Sequence, residues 1–380
     1  MSGKRRKKSY LKSFTQYDYM LLFMTAGIAL FGVIMIYSAG YYTASVFNNP
    51  FRFVKSQLTA LGMGAVVMFI ISRIDYQIFL QPIVKGKYTI TLVHIVYIAA
   101  FVLQIAVLLI GEEYNGAKRW IKIGPLQLQP SEITKVAAIL FIAYAVYRNR
   151  KALDRFMGFV CIMVYMLPLI ALIAKENLSS AIIVAGISVG MCFIASNKNG
   201  YFIACVLLFA GLICLYIIFG DAFRMQRIQI WLNVETHPKA HQIKQGLYAI
   251  ASGGLFGKGL GQSMQKLGYI PEAYNDMIFA VICEELGIVG AVLVIIAFLV
   301  LFWRIVVIAC HAPDIFGTMI CVGVMVQLAI QVVINIAVVT NSIPSTGIPL
   351  PFISYGGTSE IIMLAEMGLV LGVSRQIRQV

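Results

Sequence analysis

Residues 269–287 read YIPEAYNDMIFAVICEELG. The stretch passes from a polar loop into a long apolar run, with Asp276 at the boundary and Glu284 and Glu285 inside the run. A charged side chain at the centre of a bilayer costs about 2.5 kcal/mol or more. Acids kept in such a place therefore need either a chemical role or a partner inside the protein.

The composition indicates a membrane protein. Of 380 residues, 60% are hydrophobic and 12% are charged, which is too apolar for a soluble domain. The net charge is +14, and a cluster of Lys and Arg between residues 4 and 12 predicts contact with anionic lipid. No basic groove with interleaved aromatic residues accompanies it, so we expect no nucleic-acid partner. The seven cysteines form no CxxC pair and the four histidines are scattered, so no metal-ligand spacing is present.

Ten stretches have the roughly 20 mostly apolar residues that a helix needs to cross a bilayer. Their approximate limits are 19–38, 56–72, 88–110, 132–147, 156–174, 179–195, 201–219, 276–303, 316–339 and 359–373. Lys and Arg are more frequent in alternate short loops, which places both termini in the cytoplasm. The predicted fold is an all-α polytopic membrane protein of about ten transmembrane helices, with a large extracytoplasmic loop between helices 7 and 8.

This topology divides the chain into three parts. They are a basic cytoplasmic tail at 1–18, a single transmembrane domain at 19–373 that includes the outer loop 220–275, and a short cytoplasmic tail at 374–380.

Three segments face outward in this topology, and we expect them to form the site: 111–131, 220–275 and 340–358. The last of them contains NSIPSTGIPLPFISYGGTS at 341–359. Proline removes backbone donors and fixes φ, so this segment is predicted to be rigid and non-helical. Irregular backbone at membrane depth persists only where protein or water covers it. We therefore expect the re-entrant wall of a cavity; a plain extracellular turn is the alternative.

Asp276 is the strongest candidate for chemistry. It lies where an outer loop becomes a helix, within reach of both water and a lipid headgroup. Two readings of its position are open, because an acid there could be a catalyst or a helix cap worth about 1 kcal/mol. Glu284 and Glu285 lie about 12 Å deeper along the helix. At that depth, hydrogen bonds or ion pairs inside the bundle are favoured.

Several cations could lie close enough to interact with this acid. Arg119 lies in a basic cluster of the first outer segment, and Lys135 lies about one turn inside the following span. Glu132 begins that span and suits the positive end of its helix dipole. Arg227 lies in the long loop, and Lys258 lies in GGLFGKGLG, a glycine run whose backbone N–H groups could bind an anion. Together these groups suit an anionic lipid headgroup such as a pyrophosphate.

Four stretches resemble the SEDS family (shape, elongation, division and sporulation), and their order and spacing cover nearly the whole chain. They are RWIKIGPLQLQPSEITK at 119–135, SGGLFGKGLGQS at 252–263, YIPEAYNDMIFAVICEELG at 269–287 and STGIPLPFISYGGTS at 345–359. The family's members are peptidoglycan glycosyltransferases that polymerise lipid II. The resemblance therefore implies the same fold and activity here.

The resemblance implies an inverting glycosyl transfer, with Asp276 in the place of the family's essential acid as the general base. The donor would be a glycan strand on undecaprenyl pyrophosphate, and the acceptor the 4-hydroxyl of GlcNAc in lipid II. The residues assigned to substrate binding are Arg119, Lys135, Arg227, Lys258, Glu272 and Glu132. No cofactor is required by the sequence, although a divalent cation, Mg²⁺ or Mn²⁺, would help to neutralise the leaving group.

Within the family, the chain is more similar to division members than to elongation members at QKLGYIPEAY (265–274) and KENLSSA (175–181). It departs from the family pattern in two places. Asn177 replaces an acid, which puts a role for a carboxylate there in doubt, and Tyr274 with Asn275 replaces the usual His-Thr before the aspartate.

The resemblance also implies partners and a location. A class B penicillin-binding protein would supply transpeptidation, together with other division proteins, in the bacterial plasma membrane at the division septum, with the active site on the extracytoplasmic face. Two other functions stay open: an elongation-type polymerase, and a lipid II flippase. A flippase needs a polar path, which residues such as Gln327 and Glu366 inside the spans offer only in part.

Overall fold

The computed structural model describes residues 17–84, 89–114, 117–123, 126–198, 200, 211 and 222–377. Within these residues, nine helices are long and apolar enough to cross a membrane. Eleven α-helices are described in all, and two of them, α7 and α8, are too short to be counted among the nine. They are α1 (Tyr19–Val46), α2 (Arg52–Arg73), α3 (Leu92–Ile110), α4 (Pro130–Asn149), α5 (Phe156–Glu176), α6 (Leu178–Ala195), α7 (Ala222–Leu232), α8 (His241–Gly253), α9 (Ile278–His311), α10 (Ile315–Val339) and α11 (Gly357–Ser374). Nine predicted spans are confirmed as helices; the tenth, 201–219, lies outside the described ranges.

Several helices extend beyond the predicted spans, because hydropathy marks only the apolar part of a helix. α1 continues eight residues past its predicted end at 38 to reach Val46, and α9 continues to His311. Asp18 fixes the start of α1, since its carboxylate accepts the backbone N–H of Leu21 at 2.9 Å. The same carboxylate pairs with Arg304 of α9 at 2.6 Å, which ties these two helices together at one face of the bundle.

Short strands complete the described secondary structure. β1 (Pro82–Val84) pairs with β2 (Ile90–Thr91), and β3 (Glu112–Tyr114), β4 (Ala117–Ile123) and β5 (Leu126–Leu128) form an antiparallel sheet in the order β3-β4-β5. Three short 3₁₀ helices lie at Tyr76–Leu80, Arg150–Asp154 and Pro238–Ala240. The sheet occupies the outer segment 111–131, where no strand is predicted from the sequence, and it carries Arg119.

The interior of the bundle is built on α4 and α11. Their most apolar 18-residue windows are buried over 72% and 78%, against 22% for α2 and α3, which turn most of their surface outward. α10 contributes a further buried face that includes Phe316, Leu328 and Val339. The polar residues of these inner helices are therefore enclosed by protein rather than exposed to lipid.

The sequence predicted one continuous helix for the span that contains Glu284 and Glu285, but the structure shows a break in it. Gly287 has φ 67° and ψ −167°, so α9 consists of segments at 278–286 and 288–311. The break leaves backbone groups without helical partners, and residues 254–259 satisfy them. The carbonyls of Glu284 and Glu285 accept the N–H groups of residues 258 and 259 at 3.0 and 2.9 Å. In the other direction, Ile288 and Val289 donate to the carbonyls of residues 254 and 255 at 3.0 and 3.1 Å.

This pairing corrects the expectation that the glycine run offers its N–H groups to an anion. The N–H groups of Gly257, Lys258 and Gly259 donate instead to backbone carbonyls of the chain itself, those of Gly253, Glu284 and Glu285. Glycine at position 257 lets the backbone of the loop come close to α9, because a Cβ there would lie 2.1 Å from a carbonyl oxygen of that helix.

Replacing Gly287 by Ala should destabilise the fold. The conformation at φ 67° and ψ −167° is essentially restricted to glycine and costs a residue with a side chain about 1–3 kcal/mol, and the added Cβ would lie 2.4 Å from backbone atoms of Leu255 and Gly257. We expect a lower midpoint of thermal unfolding for Gly287→Ala in detergent micelles. Gly62→Ala is the matched control, because no heavy atom lies within 4 Å of its Cβ position. Equal midpoints for the two variants would contradict this account.

Candidate active site

Asp276 lies two residues before α9, in a segment held by the proline-rich loop at 340–356. Three consecutive carbonyls of the segment accept hydrogen bonds. That of Tyr274 accepts the N–H of Tyr355 at 3.0 Å, and that of Asn275 accepts the hydroxyl of Ser354 at 2.7 Å. The predicted non-helical loop is thus confirmed, and it forms a wall against the aspartate.

The third carbonyl, that of Asp276, is held from inside the bundle. Asn335, a buried residue of α10, donates one N–H to it at 2.8 Å and the other to the carbonyl of Ile348 at 2.9 Å. One side-chain amide therefore joins the aspartate to the proline-rich loop. Gly347 approaches the carboxylate itself, since a Cβ there would lie 4.0 Å from Oδ2 of Asp276.

The helix-cap reading of Asp276 is not what the structure favours. Met277 occupies the N-cap position of α9 and makes no side-chain cap. Asp276 keeps some exposed surface, and its Oδ1 has a long contact of 3.5 Å with Nε2 of Gln242 on α8. The carboxylate is therefore available to a ligand.

The surroundings of this carboxylate make it a better proton acceptor than an ordinary aspartate. Burial raises the pKa of Asp276 to about 6, and the negative charge of Glu272 acts in the same direction. Backbone N–H groups and the charge of Arg227 lower the pKa by smaller amounts. A pKa of about 6 leaves the group mostly ionised at neutral pH and able to take a proton.

One predicted cation, Arg227, lies near this acid, and a second, Arg119, lies near Arg227. Arg227 on α7 is within electrostatic range of both Asp276 and Arg119, and burial and the charge of Arg119 lower its pKa. It donates to the carbonyl of Ser345 in the proline-rich loop at 3.1 Å. Arg119 on β4 donates to the carbonyl of Glu176 at 2.9 Å. All three predicted outer segments therefore contribute to one place.

Lys135 and Glu132 lie in the interior of the bundle as an ion pair of 2.8 Å, both almost without exposed surface. Ser359 of α11 donates to the same Glu132 carboxylate at 2.9 Å. This pair joins two inner helices at the outer end of the bundle.

Lys258 has a different partner from the one expected. Its ammonium group donates to Glu284 at 2.7 Å and to Ser252 at 2.9 Å. Glu285 accepts from Lys266 at 2.6 Å and from Ser38 at 2.7 Å. The prediction that the two deeper glutamates bond inside the protein is confirmed.

Sequence reasoning did not single out Lys266, Ser38, Asn335 or Gln242 for these contacts. Asn335 carries the one usable signal, since it is an amide within an otherwise apolar span. Tyr274, which stands where the family has histidine, stacks on Phe53 with ring centroids 4.1 Å apart. In the described part of the chain, no three or more His, Cys, Asp and Glu side chains come together as metal ligands.

Comparisons with known proteins agree with this fold. A family model for FtsW, RodA and SpoVE, described as "Cell cycle protein", matches residues 19–379. Stage V sporulation protein E of Bacillus subtilis (strain 168) is 38% identical over 375 residues, which cover 96% of this chain and 98% of that protein. A protein of Trichlorobacter lovleyi named "Probable peptidoglycan glycosyltransferase FtsW" is 35% identical over 370 residues, 94% and 93% of the two chains.

Two solved structures share the fold. One belongs to work titled "Structural coordination of polymerization and crosslinking by a peptidoglycan synthase complex", with a TM-score of 0.79, 27% identity and coverage of 96% of this chain and 99% of that one. The other is the Rod shape determining protein RodA of Thermus thermophilus, with a TM-score of 0.69, 26% identity and coverage of 96% and 98%.

The two charges beside Asp276 should move its pKa in opposite directions. Glu272→Gln removes a negative charge and should lower the pKa from about 6, whereas Arg227→Gln removes a positive charge and should raise it. Infrared difference spectra of the protonated carboxyl band across this pH range, with Asp276→Asn subtracted, would measure each midpoint. Identical midpoints in all three proteins would contradict the proposed electrostatics.

Proposed function

This chain belongs to the FtsW/RodA/SpoVE family of cell cycle proteins, and from that membership we propose that it is a peptidoglycan glycosyltransferase that polymerises lipid II. Relatives at about a third identity over most of the chain carry the name peptidoglycan glycosyltransferase. The observation that carries the proposal is the placement of Asp276 within electrostatic range of the half-buried Arg227, which lies near the half-buried Arg119.

In the proposed reaction, Asp276 is the general base. The 4-hydroxyl of GlcNAc in lipid II attacks the anomeric carbon of the sugar at the reducing end of the growing strand. A new C–O bond forms as the bond to undecaprenyl pyrophosphate breaks on the opposite face, so the configuration inverts. The hydroxyl proton passes to the Asp276 carboxylate. A base of this kind contributes about 10²–10⁴-fold.

The leaving pyrophosphate develops negative charge, which Arg119 and Arg227 are placed to stabilise. The two guanidinium groups lie close enough that the charge of Arg119 lowers the pKa of Arg227. An anion bound between them would relieve this repulsion. Glu176 and Asp276 already attract Arg119 and Arg227 respectively, and a pyrophosphate would add a ligand that both guanidinium groups can bind together.

The other predicted binding residues have lesser parts in this proposal. Glu272 keeps the base strong through its charge. Lys135, Glu132 and Lys258 would reach the pyrophosphate only by exchanging their present partners. A divalent cation, Mg²⁺ or Mn²⁺, would take most of its ligands from the pyrophosphate and water, as Mg²⁺ commonly does.

The proposal extends to location and partners. The site would face the extracytoplasmic side of the plasma membrane, where lipid-anchored substrates present their headgroups, and the similarity to proteins named FtsW favours septal synthesis during division. One solved structure with this fold comes from a complex for polymerisation and crosslinking. A class B penicillin-binding protein would supply the crosslinking step here, in company with other division proteins.

Asp276→Asn should abolish polymerisation, because an amide cannot take the hydroxyl proton. The purified variant in liposomes, supplied with lipid II and the transpeptidase partner, should yield no glycan strands on a gel while keeping the folded midpoint of the unsubstituted protein. Glu235→Gln, at an exposed acid of the outer segment, is the matched control and should polymerise normally. Normal polymerisation by Asp276→Asn would refute the base, and translocation of lipid II without strands in the unsubstituted protein would favour a flippase.

The rate of polymerisation should fall when the pH is lowered below the pKa of Asp276. Only the ionised carboxylate can act as base, and its pKa is about 6. The rate should therefore fall about tenfold per pH unit below this value and level off above it. Single-turnover rates at a series of pH values would test this. A flat profile through pH 6 would separate the chemistry from Asp276.

A further inference from the structure

The loop at 254–268, here called the clamp loop, has an unusual distribution of polarity for a loop on the water side of a membrane protein. Five of its large apolar side chains are exposed, at 42–81% of their surface. They are Leu255, Phe256, Leu260, Met264 and Leu267. A loop surrounded by water would bury such side chains and expose its charges.

The charged groups of the clamp loop bond to the protein: the Lys266 side chain is buried, and the Lys258 side chain stays 34% exposed while its ammonium group reaches inward. Lys266 is buried against Glu285 and Ser38. Lys258 turns its ammonium group onto Glu284, and Ser263 hydrogen-bonds the same carboxylate. Charges inside and apolar groups outside form the pattern of a segment that faces hydrocarbon.

The depth of the loop agrees with this pattern. The ion pair of Asp18 and Arg304 marks one membrane boundary, because charged groups are costly further in. A span of about 20 residues counted along α9 from Arg304 ends near Glu284, and the same count along α1 from Tyr19 ends near Ser38. The clamp loop bonds to both places, so it lies at the opposite boundary of the hydrocarbon.

The exposed surface of the loop is also continuous with that of a membrane span. Ile288 and Val289, just after the break in α9, are 54% and 43% exposed. Their N–H groups donate to the carbonyls of Gly254 and Leu255. The apolar side chains of the loop therefore extend the outward face of α9.

Much of the backbone of the loop is hydrogen-bonded within the protein, as this region favours, because unpaired polar groups are costly there. The N–H groups of residues 257–259 bond to backbone carbonyls, and those of residues 263–265 bond to the carboxylates of Glu284 and Glu285. Irregular backbone can thus lie at the boundary without water as its partner.

We propose that the clamp loop is a membrane anchor, seated among the acyl chains of the leaflet on the side of Asp276. Leu255 and Phe256 contact the lipid, and Lys258 and Lys266 fasten the loop to the two glutamates that precede the break in α9. The surface fits a phospholipid bilayer rather than a protein partner, because it continues a span's outward face at the depth of the acyl chains. This inference does not depend on the proposed catalysis.

Photo-crosslinking tests the anchor directly. Phe256 is replaced by p-benzoylphenylalanine in the full chain, which is reconstituted in vesicles of phosphatidylethanolamine and phosphatidylglycerol and irradiated. Intact mass spectrometry should find phospholipid adducts. Val66, 59% exposed on α2, is the matched position expected to contact lipid, and Glu235 is the matched position in an outer turn. Adduct yield at 256 should be close to that at 66 and several-fold above that at 235.

Two results would overturn the proposal. One is an adduct yield at 256 no higher than at 235. The other is crosslinking of position 256 in intact cells to another protein with no lipid adduct, which would make the patch a protein docking surface. Thermal unfolding of each labelled protein establishes that it is folded; if the label at 256 unfolds the chain, Leu260, which is 53% exposed, replaces it under the same criteria.

Discussion

A helix that is broken inside a bundle must find partners for its freed backbone groups, and this constraint governs the part of the molecule that holds Asp276. Gly287 turns α9 out of helical geometry. The clamp loop makes four backbone hydrogen bonds to α9, two before the break and two after it. It also brings Lys258 and Lys266 to the two glutamates that precede the break, so the charges balance in pairs. Without this loop, the two carboxylates would lose their cationic partners, and several peptide groups would lose their hydrogen bonds.

The break has a consequence for the site. Because of the break, residues 278–286 of α9 do not continue the helix at 288–311. Their position is therefore set by the segments that contact them. The clamp loop holds their lower end, and the proline-rich loop with Asn335 holds the chain at their upper end. Asp276 is thereby fixed between two pieces of irregular backbone. Irregular backbone allows the chain to bring an acid, two arginines and an open surface together at the membrane boundary.

The sequence predicted what depends on local composition. Length and hydropathy located nine helices of the described chain, and proline content identified the non-helical loop at 340–358. Interactions between distant residues were not predictable in this way. The hydropathy of 276–303 is unbroken, so nothing in it signals the left-handed turn at Gly287. The strands at 111–131 depend on hairpin pairing, and the pairing of Lys258 with Glu284 joins residues that only the folded loop brings together.

The predicted cations fall into two groups: the lysines pair with glutamate side chains, and the arginines hydrogen-bond to backbone carbonyls. Moving Lys258 from Glu284 to a pyrophosphate would take the ion-pair partner from a carboxylate with no exposed surface. Lys135 and Glu132 are both buried, and breaking a buried pair costs about 3–5 kcal/mol. Arg119 and Arg227 instead donate to the backbone carbonyls of Glu176 and Ser345, and they repel each other. These contacts support the proposal that the leaving pyrophosphate binds at Arg119 and Arg227 rather than at the lysines, because the two arginines can bind an anion without breaking a buried ion pair.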